Sequence, residues 1–94
     1  MDMRKFENEL MVWHDLKYGR TDIDVPKTMR KLGEEFGEFI EAVMLGNPDY
    51  IAEEAADVFF VMTHIVRHCA GVGRLNQAAT EKLVELDRRL KLSA

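Results

Sequence analysis

Apolar residues recur at three- and four-residue intervals along most of the chain, and the pattern breaks at glycines and prolines. That spacing predicts helices, four of them. Phe6, Leu10 and Trp13 form one stripe of a first helix over about Met3 to Lys17. Tyr18-Gly19-Arg20 ends it, with Gly19 as the C-terminal cap, and a polar loop covers Thr21 to Asp24. Pro26, a good first-turn residue, opens a second helix that runs to Leu45, with Met29, Leu32, Phe36, Phe39, Ile40 and Val43 on its apolar face. Gly33 and Gly37 lie beside that face. Each costs the helix about 1 kcal/mol relative to alanine, which close approach of another helix would offset. Gly46 closes the element, and Asn47-Pro48 restarts the chain as an N-cap followed by a first-turn proline.

The third helix extends to about Ala70. Val58, Phe59, Phe60, Val61, Met62, Ile65 and Val66 cover most of the circumference of its second half, the mark of a helix buried on several sides. Gly71-Val72-Gly73 interrupts the chain. A fourth helix follows from about Leu75 to Leu90, expected to bury Leu75, Ala79, Leu83, Leu86 and Leu90 and to expose Glu81, Lys82, Glu85, Arg88 and Arg89. No stretch alternates at period two with β-branched residues. The fold class is therefore all-α, a four-helix bundle-like arrangement in a single domain over residues 1–94. Short connections make the second and third helices antiparallel neighbours.

A chain of 94 residues buries only about 60–65% of its unfolded surface. Against that limit, a hydrophobic content of 47% is a surplus and calls for a second buried face. The expected state is a homodimer or homotetramer, with each site completed by a neighbouring chain. Lys plus Arg number 13 against 17 Asp plus Glu, a net charge of −4. This argues against nucleic acid as a partner, since non-specific binding needs a basic face. The single cysteine, Cys69, can form neither an internal disulfide nor a thiolate metal site, and its expected place is as a small buried apolar residue. A reducing, cytoplasmic setting fits. Met1 to Glu9 is charged and lacks the apolar core of a signal peptide. Val58 to Val66, interrupted by Thr63 and His64, is too short to span a membrane.

Charge patterning changes the picture. Between Leu32 and Val66 lie eight carboxylates, Glu34, Glu35, Glu38, Glu41, Asp49, Glu53, Glu54 and Asp57, and no lysine or arginine. Six of the eight repeat one pattern, Glu34-Glu35-Phe36-Gly37-Glu38 and Glu53-Glu54-Ala55-Ala56-Asp57, with an acid three residues after an acidic pair. On a helix this stacks carboxylates on one face. In an antiparallel hairpin the two motifs lie level to within about a turn, at roughly 1.5 Å per residue. Glu35, between Leu32 and Phe39, borders the apolar face, and Glu38 lies beside it. Glu54, between Ile51 and Val58, does the same on the third helix, with Asp57 below. A carboxylate edging a core must be ion-paired, metal-bound or protonated. Glu35, Glu38, Glu54 and Asp57 are accordingly the candidate metal ligands. The plainer alternative is two solvated acidic helix faces with no site. Four carboxylates without histidine or thiolate suit Mg²⁺, with Mn²⁺ as a substitute, better than Zn²⁺ or Cu²⁺. A ferritin-like di-iron centre would need Glu-x-x-His on two helices, and neither motif ends in histidine. His64 falls on roughly the face of Asp57, where a hydrogen-bonded core histidine is the simpler reading than a group supporting the site.

Lys31-Leu32-Gly33-Glu34-Glu35-Phe36-Gly37-Glu38-Phe39-Ile40-Glu41-Ala42 resembles the first signature of the MazG-like, all-α nucleoside triphosphate pyrophosphohydrolases. Glu53-Glu54-Ala55-Ala56-Asp57-Val58-Phe59-Phe60 resembles the second, and Trp13-His14 with Tyr18-Gly19 looks like the first-helix segment of short members. The resemblance extends from about Trp13 to Arg89. It implies Mg²⁺-dependent cleavage of a nucleoside triphosphate between the α and β phosphates, to a monophosphate and pyrophosphate. The family's metal ligands map onto Glu35, Glu38, Glu54 and Asp57. Its first glutamate maps onto Glu34, a candidate to orient or deprotonate the attacking water, while Glu53 fits a solvated neighbour. Carboxylates alone would repel a triphosphate, so basic groups are needed, and Lys17, Lys31, Lys82, Arg88 and Arg89 are the candidates. Lys82 matches a lysine of the family's last helix. Asp87 stands before Arg88-Arg89 where members often carry asparagine, which puts phosphate contact there in doubt. Trp13 is a candidate to stack on a base, with core packing as the simpler alternative. Two other readings stay open: phosphoribosyl-ATP pyrophosphohydrolase, the histidine-pathway enzyme that shares the acidic motifs, and a non-catalytic helical dimerisation module.

Overall fold

Helix boundaries follow from caps that the local sequence supplies. A computed structural model describes residues 3–18 and 23–93. It contains α1 (Met3–Tyr18), α2 (Val25–Leu45), α3 (Pro48–Ala70) and α4 (Arg74–Ser93), and no strand among the described residues. Gly19, the expected cap of α1, and Thr21 and Asp22 of the expected loop lie outside the described residues. Asp24 caps α2 by accepting from the Lys27 N–H at 3.1 Å, ahead of Pro26 in the first turn. Gly46 ends α2 in the left-handed region at φ 76°, its N–H donating to the Ala42 and Val43 carbonyls. Asn47 then accepts from the Asp49 and Tyr50 N–H groups at 3.0 and 3.2 Å and starts α3. Two capping residues in direct succession turn the chain back on itself, so α2 and α3 form a tight antiparallel hairpin.

The hairpin is the structural centre. α2 packs along α3, while no Cα of α2 comes within 8 Å of α1 or α4. α1 and α4 lie against α3 and against each other. Phe6 of α1 anchors this second contact, its ring 4.9 Å from Phe59 and 5.1 Å from Phe60. Arg67 of α3 reaches the Met11 sulfur. Glu7, buried on α1, accepts from the Gly73 N–H with both carboxylate oxygens, at 3.1 and 3.2 Å. It thereby supplies an anion to the N-terminus of α4, where unpaired N–H groups favour one.

The apolar surface is less covered than the sequence leads one to expect. Ala42 alone among the described apolar residues is fully buried. Val58, Phe59, Val61, Met62, Ile65 and Val66 of α3 are only half-buried, and Phe60 is exposed. Of the expected α4 stripe, Leu75 and Ala79 are half-buried, but Leu83, Leu86 and Leu90 are exposed because no helix lies over them. Cys69, expected to be buried, is exposed near the end of α3. Beyond their own stretch of helix, Gly33 and Gly37 have no described atom within 4 Å of where a Cβ would stand, so neither accommodates another described helix of the chain.

Candidate metal centre

The hairpin sets Glu35 and Glu38 of α2 against Glu54 of α3. One oxygen from each of the three lies within 4.8 Å of the other two. Glu35 and Glu54 are each only 7% exposed, and each keeps a buried carboxylate oxygen (Oε2) with no hydrogen-bond partner. Unpartnered buried oxygens are costly and rare in native proteins. Burial, and then hydrogen bonding to Glu38 and the charges of Glu38, Asp57 and Glu35, hold the Glu54 carboxyl above the usual carboxylate range. A hydrogen bond between two carboxyls requires a proton on one of them. A divalent cation with oxygen ligands would offset this crowding of negative charge. The donor set, all hard oxygen with two atoms lacking partners, fits such an ion.

Asp57, one turn beyond Glu54 and half-buried, acts on the cluster through its charge but does not belong to the three oxygens that converge. Glu34 and Glu53 are exposed beside their neighbours. Lys31 sits one turn before Glu35 and ion-pairs with it at 2.8 Å. The hydrogen bond and charge of Glu35 raise the Lys31 pKa. The cluster thus does have a basic neighbour, placed by i,i+4 spacing just outside the acidic run.

The remaining candidates lie on other helices or further along α3. Trp13 and Lys17 are exposed on α1, the Lys17 Nζ 5.0 Å over the Trp13 ring. Lys82 is exposed on α4. Arg88 and Arg89 both bind Glu85, at 2.8 and 2.9 Å, and lower its pKa, Arg88 first. His64 is half-buried further along α3 and is not one of the converging group. Sequence reasoning passed over Tyr50, four residues before Glu54 and hence on the same face. Its phenol pKa is raised by burial first and then by the charges of Glu54, Glu41, Glu38 and Glu53.

Four helices and a carboxylate cluster on one hairpin define an all-α protein with an oxygen-donor centre. The chain belongs to the MazG nucleotide pyrophosphohydrolase domain family, whose pattern matches residues 25–89, a span that contains both acidic motifs. A stretch of 38 residues is 55% identical to a phosphoribosyl-ATP pyrophosphatase of Methanosphaerula palustris, covering 40% of this chain and 38% of that protein. A stretch of 36 residues is 53% identical to a phosphoribosyl-ATP pyrophosphatase of Methanoregula boonei, covering 38% of this chain and 35% of that protein. The matched stretches thus span little more than a third of those curated relatives. No solved structure matches significantly. No helix among the described residues is long and apolar enough to cross a membrane.

Proposed function

We propose that this chain is a Mg²⁺-dependent nucleoside triphosphate pyrophosphohydrolase that cleaves between the α and β phosphates, with Mn²⁺ as a possible substitute. The observation that carries the reading is the convergence of Glu35, Glu38 and Glu54 with two buried oxygens left unpartnered. These three would hold the cation, with Asp57 as a fourth. When bound, the ion supplies neutralisation of phosphate oxygens and Lewis-acid polarisation. Water adds across the anhydride: its oxygen ends on one phosphorus, and the bridging oxygen leaves with the other product. The proton passes to a carboxylate, a role for which Glu34 is exposed and adjacent. Lys31, one turn before Glu35, would offer a positive charge to a phosphate. Lys82, Lys17 and Trp13 would contribute from α4 and α1, which pack on α3 and not on α2. We read the working unit as a single domain acting in a homodimer or homotetramer in the cytoplasm, with no nucleic acid and no membrane as partner.

The test is a pyrophosphate-release screen over NTPs, dNTPs and modified nucleotides with Mg²⁺ and with Mn²⁺. Release from at least one substrate, lost by roughly 100-fold or more in Glu38→Gln, supports the reading. No release from any substrate would return the chain to the non-catalytic helical module. The two relatives favour a second substrate, phosphoribosyl-ATP. Preferential hydrolysis of that compound over the ordinary nucleotides would select it.

A further inference from the structure

Phosphate oxygens need donors, and the acidic run supplies few. Between Leu32 and Val66 there is no lysine or arginine, and four side chains carry an N–H or O–H: Asn47, Tyr50, Thr63 and His64. Thr63 and His64 follow Glu54 by nine and ten residues, about 14 Å along α3. Asn47 is engaged as the cap of α3. Tyr50 remains, and the hairpin brings it to the cluster. Its N–H donates to the Asn47 side chain at 3.2 Å, which fixes it in the first turn of α3. Four residues before Glu54, it shares a helix face with that side chain. The register that sets Glu38 against Glu54 brings Tyr50 level with the buried Ala42 of α2, beside Glu41 and one turn from Glu38.

The chemistry of a phenol suits this place. Tyr50 is half-buried, the charges of both acidic motifs reach it, and no described residue accepts from its O–H. A lysine here would pair with a carboxylate, as Lys31 does with Glu35 at 2.8 Å, and would repel a cation. A phenol donates one hydrogen bond and carries no charge, so it serves a phosphate oxygen without competing with a cation. Burial and the surrounding acids disfavour phenolate, so the proton stays on the oxygen at neutral and mildly alkaline pH.

We propose that the Tyr50 O–H donates to a phosphate oxygen of the polyphosphate that the Glu35, Glu38 and Glu54 centre holds through its cation. This rests on the metal-dependent reading given above and adds a substrate contact to it. The probe is inorganic tripolyphosphate, which has phosphates but neither base nor sugar. Calorimetry follows its binding to the Mn²⁺-loaded full chain and to Tyr50→Phe, with Mn²⁺ alone titrated into both. Phenylalanine keeps the ring and removes only the oxygen. The expected result is tripolyphosphate binding weakened about tenfold or more in Tyr50→Phe, the size of one hydrogen bond to a charged group, with Mn²⁺ binding and helicity unchanged. Equal binding of tripolyphosphate by the two chains would overturn the proposal, and so would no binding by the native chain. An equal loss of Mn²⁺ binding would also overturn it, since Tyr50 would then act by holding a carboxylate. Nucleotide hydrolysis separates this inference from the reading beneath it. An active chain with tripolyphosphate binding indifferent to Tyr50→Phe keeps the pyrophosphohydrolase and loses the contact. Binding that depends on Tyr50, without pyrophosphate release from any nucleotide, keeps the contact and loses the pyrophosphohydrolase.

Discussion

Glu54 concentrates the chemistry of the cluster in one side chain, because burial and three neighbouring acids all oppose its charge. A carboxyl held above its unfolded pKa is protonated more in the folded state than in the unfolded one. Its stabilising contribution is complete below the unfolded value and is lost as pH rises through the folded value. In the metal-free chain this contribution of Glu54 should fall away from about pH 4 upward, beginning at the ordinary carboxyl range, against the opposite contribution of Glu85, whose pKa Arg88 and Arg89 lower. Glu54→Gln should flatten that loss, and Mg²⁺ should reverse it in the native chain but not in the variant. A metal-free melting temperature that rises over this range in the native chain and stays level in Glu54→Gln would contradict the assignment. Glu38→Gln should weaken direct Mn²⁺ binding, read by calorimetry, by roughly tenfold or more, with unchanged helicity. The convergence of Glu35, Glu38 and Glu54 was legible in the sequence because three-residue spacing fixes a helix face. The Lys31 partner follows from the same i,i+4 rule, but it lies outside the acidic run and was read only as a phosphate contact. Tyr50 went unread because a phenol carries no charge pattern. The exposure of Cys69 was not legible, since which side of the end of α3 is covered depends on packing alone.

At the scale of elements, the turn between α2 and α3 decides whether the acids meet at all. Asn47 satisfies two N–H groups of α3, so Asn47→Ala should cost about 1 kcal/mol and show as a lower urea midpoint. Glu7→Gln tests the other junction. It removes the anion that accepts from Gly73 at the start of α4. The expected loss is roughly 0.5–2 kcal/mol, with faster amide exchange in the first turn of α4 and unchanged exchange in α2. Equal loosening of α2 would refute the division into a hairpin and a separately anchored α1–α4 pair. Caps and breaks such as Gly46, Asn47 and Gly71 were readable because they act over a few residues. Helix packing was readable only in part. The stripe Leu75, Ala79, Leu83, Leu86 and Leu90 says that α4 has an apolar face, but not that the same chain covers it. Only its first turns rest on a neighbour.

For the whole molecule, one apolar side chain is fully buried among the described residues, a thin core for a chain of this length. Small domains already sit near the limit of what burial can stabilise. If the open face of α2 is closed by a second copy, folding and association become one equilibrium, and stability depends on concentration. Each tenfold rise in protein concentration then adds about 1.4 kcal/mol per mole of dimer. For an assembly of this size that raises the melting temperature by roughly 3–5 °C. The measurement is a series of melts over three decades of concentration at fixed pH, without added metal. The native chain should show the slope, and Ile40→Glu should show a lower melting temperature with none. A native melting temperature independent of concentration would mean that one chain is stable with that face in water. The exposed residues of α2 would then be ordinary surface, and the two glycines would remain without a structural reason.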